Sequence, residues 1–496
     1  MLRTMRVVAA SLGLLCGMGG CTSFLTGDKL STDPNNPGSA TVQTLLVGMQ
    51  SAQFSLHEGT VAMMMCEWVQ ACGATNGRFV QGLGLYDFGA SANTGANFID
   101  WQLIYTAGGL IDIHTIERDA RAAGDSVYLG IGKVWEAFTI GTAADMWGSI
   151  PFTQITTSAT PDTDPQFAVY DSVQSLLRQA IGELTNGTAT LTPPPDLVFG
   201  RFGDAPGGDG LASWIKTAYT LRARYWLHVE EAAAAGRLPS GLTAIQVYDS
   251  AIAAASNGID DPTGQHDFRS AHFAPTSQQN MWSQFQSNSG FGGDLEAGKV
   301  LVDIMNARSD PRRPLYFCTN AGGGYGGDSF NPPAVTPDSV SNFACLPPRF
   351  GATVGTPYVS YAENQLILAE AYHGTGDDAN ALLHLNNERA VPGSASDTTL
   401  PALPTLVAIT GAALLDSIMI EKYVVMFQNI ETIMDYRRTC IPAITPVQSN
   451  FLNITAVPGE LFYPQTERNV NAAHIPTESQ ELANGLRTEA DVNVCP

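Results

Sequence analysis

The feature that constrains the fold most is a helix-length segment with apolar side chains on nearly every face. Residues 126–147 read SVYLGIGKVWEAFTIGTAADMW. A helix that is apolar all round is a buried helix. Gly130, Gly132 and Gly141 lower its helix propensity, and their small size allows neighbouring helices to approach closely. The segment therefore predicts a central helix that is enclosed by other helices.

Other amphipathic segments occur in pairs along the chain. Residues 126–186 and 213–256 form two such pairs, and residues 361–390 form a third that fits the 34-residue tetratricopeptide pattern. The positions on or within one residue of that pattern are Leu368, Ala369, Tyr372, Gly376, Ala381, Leu385 and Pro392. Glu388 departs from it, and a generic helical hairpin is the alternative. We expect a mainly α fold of tetratricopeptide-like hairpins packed against a loop-rich insertion at about residues 257–356.

The amino terminus has the form of an export signal. Arg3 and Arg6 precede the short apolar run of residues 7–18, which is too short to span a bilayer. Two glycines and Cys21 follow, as in a lipobox; an ordinary signal peptide with an incidental cysteine is the alternative. We expect a signal peptide at 1–20, an acylated Cys21, a leader at 21–40, and one α domain at 41–496.

Composition excludes several classes of partner. Of the 496 residues 44% are apolar and 15% charged, which is typical of a folded globular chain. The net charge of −22 becomes −24 once the two signal arginines leave. No basic cluster remains, which argues against nucleic acid. Repulsion also argues against charge-driven lipid binding, so acyl chains on Cys21 would be the membrane contact.

Six cysteines remain after Cys16 leaves with the signal and Cys21 is acylated. They are Cys66, Cys72, Cys318, Cys345, Cys440 and Cys495. An even number in an exported chain indicates disulfides, with fifteen possible pairings and nearest neighbours as the simplest. Cys66 and Cys72 cannot pair within one helix, where six residues rise about 9 Å. A zinc site is the alternative, although no Cys-x-x-Cys occurs.

Several stretches in a fixed order resemble the SusD/RagB family of outer-membrane nutrient-binding lipoproteins. They are residues 101–113, 134–154, 361–390, 420–438 and 461–471. The last reads LFYPQTERNVN, similar to the closing Tyr-Pro-x-x-Glu-x-x-x-Asn segment of the family. Gly108-Gly109 stands where the family has an asparagine, and Glu431-Thr432 lies where an arginine-tryptophan pair is usual. The resemblance runs from residue 21 to about 475, so the chain is identified as a divergent member.

The resemblance implies a receptor on the outer face of the outer membrane. Its partner would be a SusC-like TonB-dependent transporter, and its ligand an oligosaccharide or a peptide. It implies no catalysis and no cofactor. A helical-repeat scaffold for envelope assembly and a surface glycosidase are the rival functions.

Candidate ligand-binding residues are large aromatic side chains, and amide or charged side chains near them, on irregular backbone. In the early loop they are Arg78, Phe79, Tyr86, Asp87 and Asn93. In the insertion they are Gln279, Asn280, Trp282, Phe285 and Asn288. A role as core residues or loop anchors is the alternative for these aromatics, whereas Trp135, Trp147, Trp214 and Trp226 are expected in the core.

Enzymatic and metal-binding patterns are weak. The motifs of serine hydrolases, zinc proteases and nucleotide-binding loops are absent from the sequence. His266 and His272 have neither helical nor strand ligand spacing and are expected at the surface. Asp204 and Asp209 in a glycine-rich loop offer oxygen ligands for calcium, but a solvated turn is the simpler interpretation.

Overall fold

A computed structural model gives the structure of the protein. It describes residues 40–74, 84, 86, 95–106, 108–191, 196–200, 209–287, 294–329, 337–391, 401–447, 452, 454–492 and 495. The expected signal peptide and leader therefore lie outside the described residues.

Helices dominate the described part of the chain. The first half contains α1 Val42–Glu58, α2 Thr60–Trp68, α3 Gly95–Tyr105, α4 Leu110–Ala123, α5 Ser126–Trp147, α6 Gln166–Thr185, α7 Asp209–Leu227, α8 Glu230–Ala234 and α9 Ala244–Ala255. The second half contains α10 Met281–Ser287, α11 Lys299–Ala307, α12 Arg313–Tyr316, α13 Tyr361–Gly374, α14 Asp378–Ala390, α15 Gly411–Val425, α16 Glu431–Thr439, α17 Gln465–Val470 and α18 Glu478–Ala483. The mainly α prediction is confirmed.

Helix α5 is the buried centre that its sequence predicts. From Val127 to Trp147 each of its residues is buried, and α4, α6 and α7 pack around it. Asp125 caps its amino terminus by accepting a hydrogen bond from the amide of Tyr128. Trp135, Trp147 and Trp214 lie in the same core as predicted, whereas Trp226 is only partly buried.

The predicted helical pairs pack as hairpins. Helices α5 and α6, α7 and α9, and α13 and α14 lie against each other. The last pair shares a separate apolar cluster with α15, built from Ala362, Leu366, Ala369, Ala381, Leu385, Leu414, Ile418, Met419 and Val425. Side chains of the tetratricopeptide-like pattern thus form the contact between α13 and α14.

The insertion combines short helices with minimal strands. Strand β1 Cys72–Gly73 pairs antiparallel with β3 Glu296–Ala297, and β2 Phe268–Arg269 pairs antiparallel with β4 Pro357–Val359. The second ladder joins the start of the insertion to the residues before α13. Both ends of the loop-rich segment are therefore held close together on the helical body.

The sequence pattern of residues 98–122 predicts one continuous helix, and this prediction is wrong, because α3 ends at Tyr105 and α4 begins at Leu110. Gly108 has φ +91°, and a Cβ atom there would lie 2.3 Å from Cβ of Ala52 in α1. The close approach of α1 requires a glycine in a left-handed conformation, and a helix cannot continue through it.

The sequence pattern of residues 411–438 predicts one long helix, and the structure interrupts it as well. Helix α15 ends at Val425, Gln428 has φ +78°, and α16 begins at Glu431. The side chain of Asn429 donates to the carbonyl groups of Pro357 and Tyr358 and accepts from the amide of Glu431. The break therefore fastens β4 and caps α16.

Three disulfides join consecutive cysteines: Cys66–Cys72, Cys318–Cys345 and Cys440–Cys495. Helix α2 ends at Trp68, before Cys72, so its chain has turned and the two Cα atoms lie 5.1 Å apart. Among the helices that the structure describes, none has both the length and the apolar character needed to cross a bilayer.

Replacement of Gly141 in α5 by alanine and replacement of Gly182 in α6 by alanine should change the stability of the protein in opposite directions. A Cβ atom at Gly141 would lie 2.2 Å from the ring of Tyr225, whereas one at Gly182 meets nothing within 4 Å. We expect Gly141→Ala to lower the free energy of unfolding by about 1–3 kcal/mol and Gly182→Ala to raise it by about 0.5–1 kcal/mol. Urea denaturation of both variants checks this; a stabilised Gly141→Ala protein contradicts the packing.

Candidate functional site

The outer edge of α1 presents a row of small side chains. Val47, Ser51 and Ser55 are spaced four residues apart, so they lie on one line of the helix. The opposite face, with Leu46 and Met49, is buried in the core. Thr41 caps the helix by accepting from the amide of Thr44. This face of α1 is therefore a fixed wall with hydroxyl groups on it.

Residues 271–284 of the insertion form the facing wall. The ladder between β2 and β4 holds the start of this segment. Asn280 holds its end, because its amide group donates to the carbonyl of Val354 and the hydroxyl of Thr356. Its Oδ1 accepts from the amides of Trp282 and Ser283, which caps α10. Both ends of the wall are thus tied to the body.

An open groove of about 450 Å³ lies between the two walls. Its described lining residues are Val47, Ser51, Phe54, Ser55, Leu197, Ala271, His272, Phe273, Ser277, Gln278, Gln279, Met281 and Gln284. Amide and hydroxyl groups make up most of the polar part, and Phe273 is 47% exposed. A concave surface with apolar and aromatic side chains and a few polar groups is typical of a small-molecule site. We refer to it as the α1 groove.

A buried pair of hydrogen-bonded side chains lies behind the α1 groove. Nε2 of His272 lies 2.8 Å and 3.0 Å from the two carboxylate oxygens of Glu58. The hydroxyl of Tyr358 donates to the same carboxylate at 3.0 Å. Burial, together with this carboxylate, raises the pKa of Tyr358 well above its ordinary value. The prediction of a surface position for His272 is therefore wrong, because its imidazole is held inward by Glu58 and is 6% exposed.

Gln279 is the predicted binding residue that lines the α1 groove. Its Nε2 donates to the backbone carbonyl of Ala274, and its backbone carbonyl accepts from Nε2 of Gln284. Phe285 is partly buried against the core. Asn280 is buried and serves as the anchor and cap described above, so its predicted role in ligand binding is corrected to a structural one.

Trp282 and Tyr86 are both fully buried, which corrects their prediction as exposed binding residues. Trp282 packs among Phe343, Phe350 and Phe427. Tyr86 meets Trp68 edge-on, and its hydroxyl accepts from the amide of Val447. Burial of these large rings in apolar clusters is energetically favourable. The sequence of the surrounding loops does not indicate that burial.

The remaining predicted residues lie outside the described part of the chain. They are Arg78, Phe79, Asp87, Asn93, Asn288 and the lipidation site Cys21. Asp204 of the calcium alternative also lies outside it, and Asp209 is the first residue of α7.

Sequence reasoning missed Phe273, Gln278 and the two serines of α1. Phe273 has the features of a candidate binding residue, since it is an aromatic residue on irregular backbone just before Pro275. The serines had a weaker signal, which was their spacing of four residues next to an apolar stripe. Neither signal shows that the two segments face each other.

Within the described residues, one cluster has the donor atoms of a metal site: Asp145, His228 and Glu431. Each nitrogen of His228 already contacts a carboxylate, at 2.9 Å from Asp145 and 2.8 Å from Glu431. Burial lowers the pKa of His228, but these two carboxylates outweigh burial and raise it to about 9. A metal needs a neutral imidazole, so this cluster is suited to hold a proton rather than a cation.

Comparison with known proteins gives one match by sequence. Residues 34–464 match the SusD-like family model, which is described as starch-binding and associating with the outer membrane. No curated protein matches the sequence.

Solved structures share the fold over nearly the whole chain. A SusD/RagB family protein from Bacteroides thetaiotaomicron has 18% identity and a TM-score of 0.68, with 92% of this chain and 100% of that chain covered. A chitin-binding SusD homolog from Flavobacterium johnsoniae has 18% identity and a TM-score of 0.66, with 91% and 99% covered. A SusD homolog from Bacteroides fragilis has 16% identity and a TM-score of 0.65, with 92% and 98% covered.

Proposed function

The chain belongs to the SusD-like family, and from this premise we propose that it is a cell-surface receptor that binds an oligosaccharide in the α1 groove for nutrient uptake. The observation that carries the proposal is the groove itself. It combines an exposed Phe273 with neutral amide and hydroxyl groups of Gln278, Gln279 and Ser51. An aromatic face suits the apolar side of a sugar ring, and amides suit its hydroxyl groups.

The charge of the α1 groove supports a neutral ligand. Among its described lining residues there is no aspartate, glutamate, lysine or arginine, and the one imidazole is paired with Glu58. A charged ligand that bound there would lose part of its hydration and would gain no partner of opposite charge. The net charge of the protein also opposes acidic polysaccharides.

The same lining supports binding without hydrolysis. Glycoside hydrolases place two carboxyl groups beside the scissile bond. The described lining residues of the α1 groove supply none. We therefore favour a receptor over the alternative of a surface glycosidase. The cleft with an exposed aromatic also favours a receptor over a scaffold, for which a smooth face is expected.

The proposal includes a lipid anchor and a transporter. Acylation at Cys21 would hold the receptor at the outer membrane, above a SusC-like TonB-dependent barrel. Tethering raises the local ligand concentration at the pore without a change in contacts. The order of signal, Cys21 and polar leader in the sequence supports this arrangement.

Phe273→Ala and Gln279→Ala are expected to weaken glycan binding. We expect each to lower affinity by about tenfold, because each removes one contact worth about 1–2 kcal/mol. Isothermal titration against maltooligosaccharides, chitooligosaccharides and a peptide set measures the effect. Ile245→Ala is the control, since Ile245 is also an exposed apolar residue but is not among the described residues that line the groove.

The glycan titration can contradict the proposal in two ways. A glycan that binds the wild type and both groove variants equally would place its site elsewhere. Binding of peptides, with no response to any glycan, would replace the oligosaccharide as the ligand.

A further inference from the structure

A second cavity, of about 370 Å³, lies at the carboxyl end of α5. It is lined by Trp147, Gly148, Ser149, Thr163, Glu460, Tyr463, Pro476, Gln480, Glu481, Asn484, Arg487, Thr488 and Glu489. None of these residues lines the α1 groove. Gln480, Asn484 and Glu489 are exposed at the rim, whereas Glu460, Glu481 and Tyr463 are buried. We refer to it as the C-terminal cavity.

The carboxyl group of Glu460 lacks a partner at the floor of this cavity. The residue is 8% exposed, and its side chain has no hydrogen bond or ion pair to any described residue. A Cβ atom added at Gly148 would lie 3.5 Å from its Oε2, so the carboxyl group lies against the turn that follows α5. If Glu460 were ionised, its carboxylate would lack a directly bonded counter-charge, and a cation in the cavity would supply one.

The other floor carboxylate, Glu481, is already satisfied. Its Oε1 accepts from the amide of Tyr463 at 3.1 Å, and its Oε2 contacts the guanidinium of Arg468. It nevertheless adds negative charge near Glu460. Among the described lining residues there are three carboxyl groups, of Glu460, Glu481 and Glu489, and one guanidinium, of Arg487.

Burial, followed by the charges of Glu481 and Asp491, raises the pKa of Glu460 to about 9, and Arg437 opposes this only in part. Arg437 is itself bound to Asp491, with a shortest contact of 2.6 Å. The charged groups around Glu460 therefore favour its neutral form while the cavity is empty. A cation that enters would reverse this preference, because it favours the ionised form.

The cavity suits an organic cation better than a metal ion. Calcium takes six to eight oxygen ligands, and the described part of this cavity has no set of three acidic or histidine donor atoms close together. An ammonium group needs fewer acceptors than a calcium ion does, and the carboxyl group of Glu460 supplies one of them. The volume admits the alkyl stem of such a group.

We propose that the C-terminal cavity binds a primary ammonium group with Glu460 as its counter-ion. This site is separate from the α1 groove and does not depend on glycan binding. A lysine side chain of a polypeptide and a free alkyl amine share this chemistry.

The site is tested by thermal unfolding at pH 8.5 in 20 mM n-butylamine or 20 mM Nα-acetyl-lysine methylamide. Each amine is then at about 100 times the concentration of the protein. We expect at least one amine to raise the melting temperature of the wild type by about 1–2 °C. The response should shrink at pH 6.5, because Glu460 must release its proton. A response to butylamine alone indicates a free amine, and a response to both includes a lysine side chain.

Glu460→Gln should abolish the response while keeping the shape of the floor. Glu489→Gln, at the rim, should keep it. An unchanged wild-type melting temperature with both amines overturns the proposal, as does an equal rise in Glu460→Gln. An equal rise with n-butanol, or a rise with calcium chloride alone, also overturns it.

Discussion

Glu421→Gln is expected to lower the free energy of unfolding by about 3–5 kcal/mol. Glu421 is completely buried in α15. Its carboxylate lies 2.7 Å from Arg312 and 2.9 Å from Arg389, and it also contacts Arg308. Burial raises the pKa of this carboxyl group, but the guanidinium groups of Arg312 and Arg308 outweigh burial and leave the pKa below its ordinary value. The variant would leave buried positive charges with too little compensation.

Urea denaturation at pH 7 measures the effect of Glu421→Gln. Asp416→Asn is the matched control, because Asp416 is an exposed acid on the same helix. We expect the control to change the free energy of unfolding by less than about 0.5 kcal/mol. Equal unfolding midpoints for Glu421→Gln and the wild type would contradict the role of this cluster.

His228 is expected to make stability depend on alkaline pH. Its pKa is about 9 in the folded protein and about 6.5 in an unfolded chain. The folded state therefore binds the proton more tightly, so the stabilisation is complete below pH 6.5 and is lost as pH rises through 9. The shift corresponds to about 3 kcal/mol. We expect the difference in unfolding free energy between the wild type and His228→Gln to shrink by about this amount from pH 6 to pH 10.

The comparison between the two proteins is needed because other groups titrate in the same window. The buried carboxyl groups of Asp100, Glu117 and Glu460 have pKa values raised mainly by burial, to about 8, 9 and 9. Each of these groups binds its proton more tightly in the folded state than in the unfolded state. Their ionisation therefore also lowers the free energy of unfolding as pH rises. His373→Gln, which removes a 2.7 Å contact between two partly exposed side chains, is the control, and its difference from the wild type should change by less than about 1 kcal/mol over this range. A constant difference for His228→Gln would contradict the prediction.

Local sequence patterns predicted most of the helices correctly. The start of α6 after Pro165 and the end of α4 at Gly124 follow from proline and glycine rules. The breaks at Gly108 and Gln428 did not follow from them. Each is set by a distant segment, α1 in the first case and β4 in the second. Such contacts are not visible in a local window of sequence.

The candidate site was predicted only in outline. The sequence predicts ligand-binding residues in the insertion, and one of them, Gln279, lines the α1 groove. Trp282 and Phe273 have similar sequence surroundings, yet one is buried and the other is exposed. The Trp282 ring packs among Phe343, Phe350 and Phe427, which come from distant parts of the sequence. Which ring faces solvent therefore depends on tertiary contacts that the composition of the loop does not reveal.

The family-like motif at residues 420–438 gave positions but not partners. Lys422 and Asp435 of this motif contact each other at 2.6 Å, and Lys422 also contacts Glu370 at 2.9 Å. Arg437 of the same motif binds Asp491 near the end of the chain. The motif is thus the centre of a buried charge network, and its partners include residues of α13 and of the C-terminal segment.

The order of the disulfides has a consequence for how the chain matures. The paired cysteines are separated by 6, 27 and 55 residues, and no bridge encloses a cysteine of another bridge. When the chain enters an oxidising compartment from its amino end, the second cysteine of each pair can therefore form a disulfide with the cysteine that emerged just before it. Correct cross-links would form in order of appearance, without later thiol exchange to repair mismatched pairs.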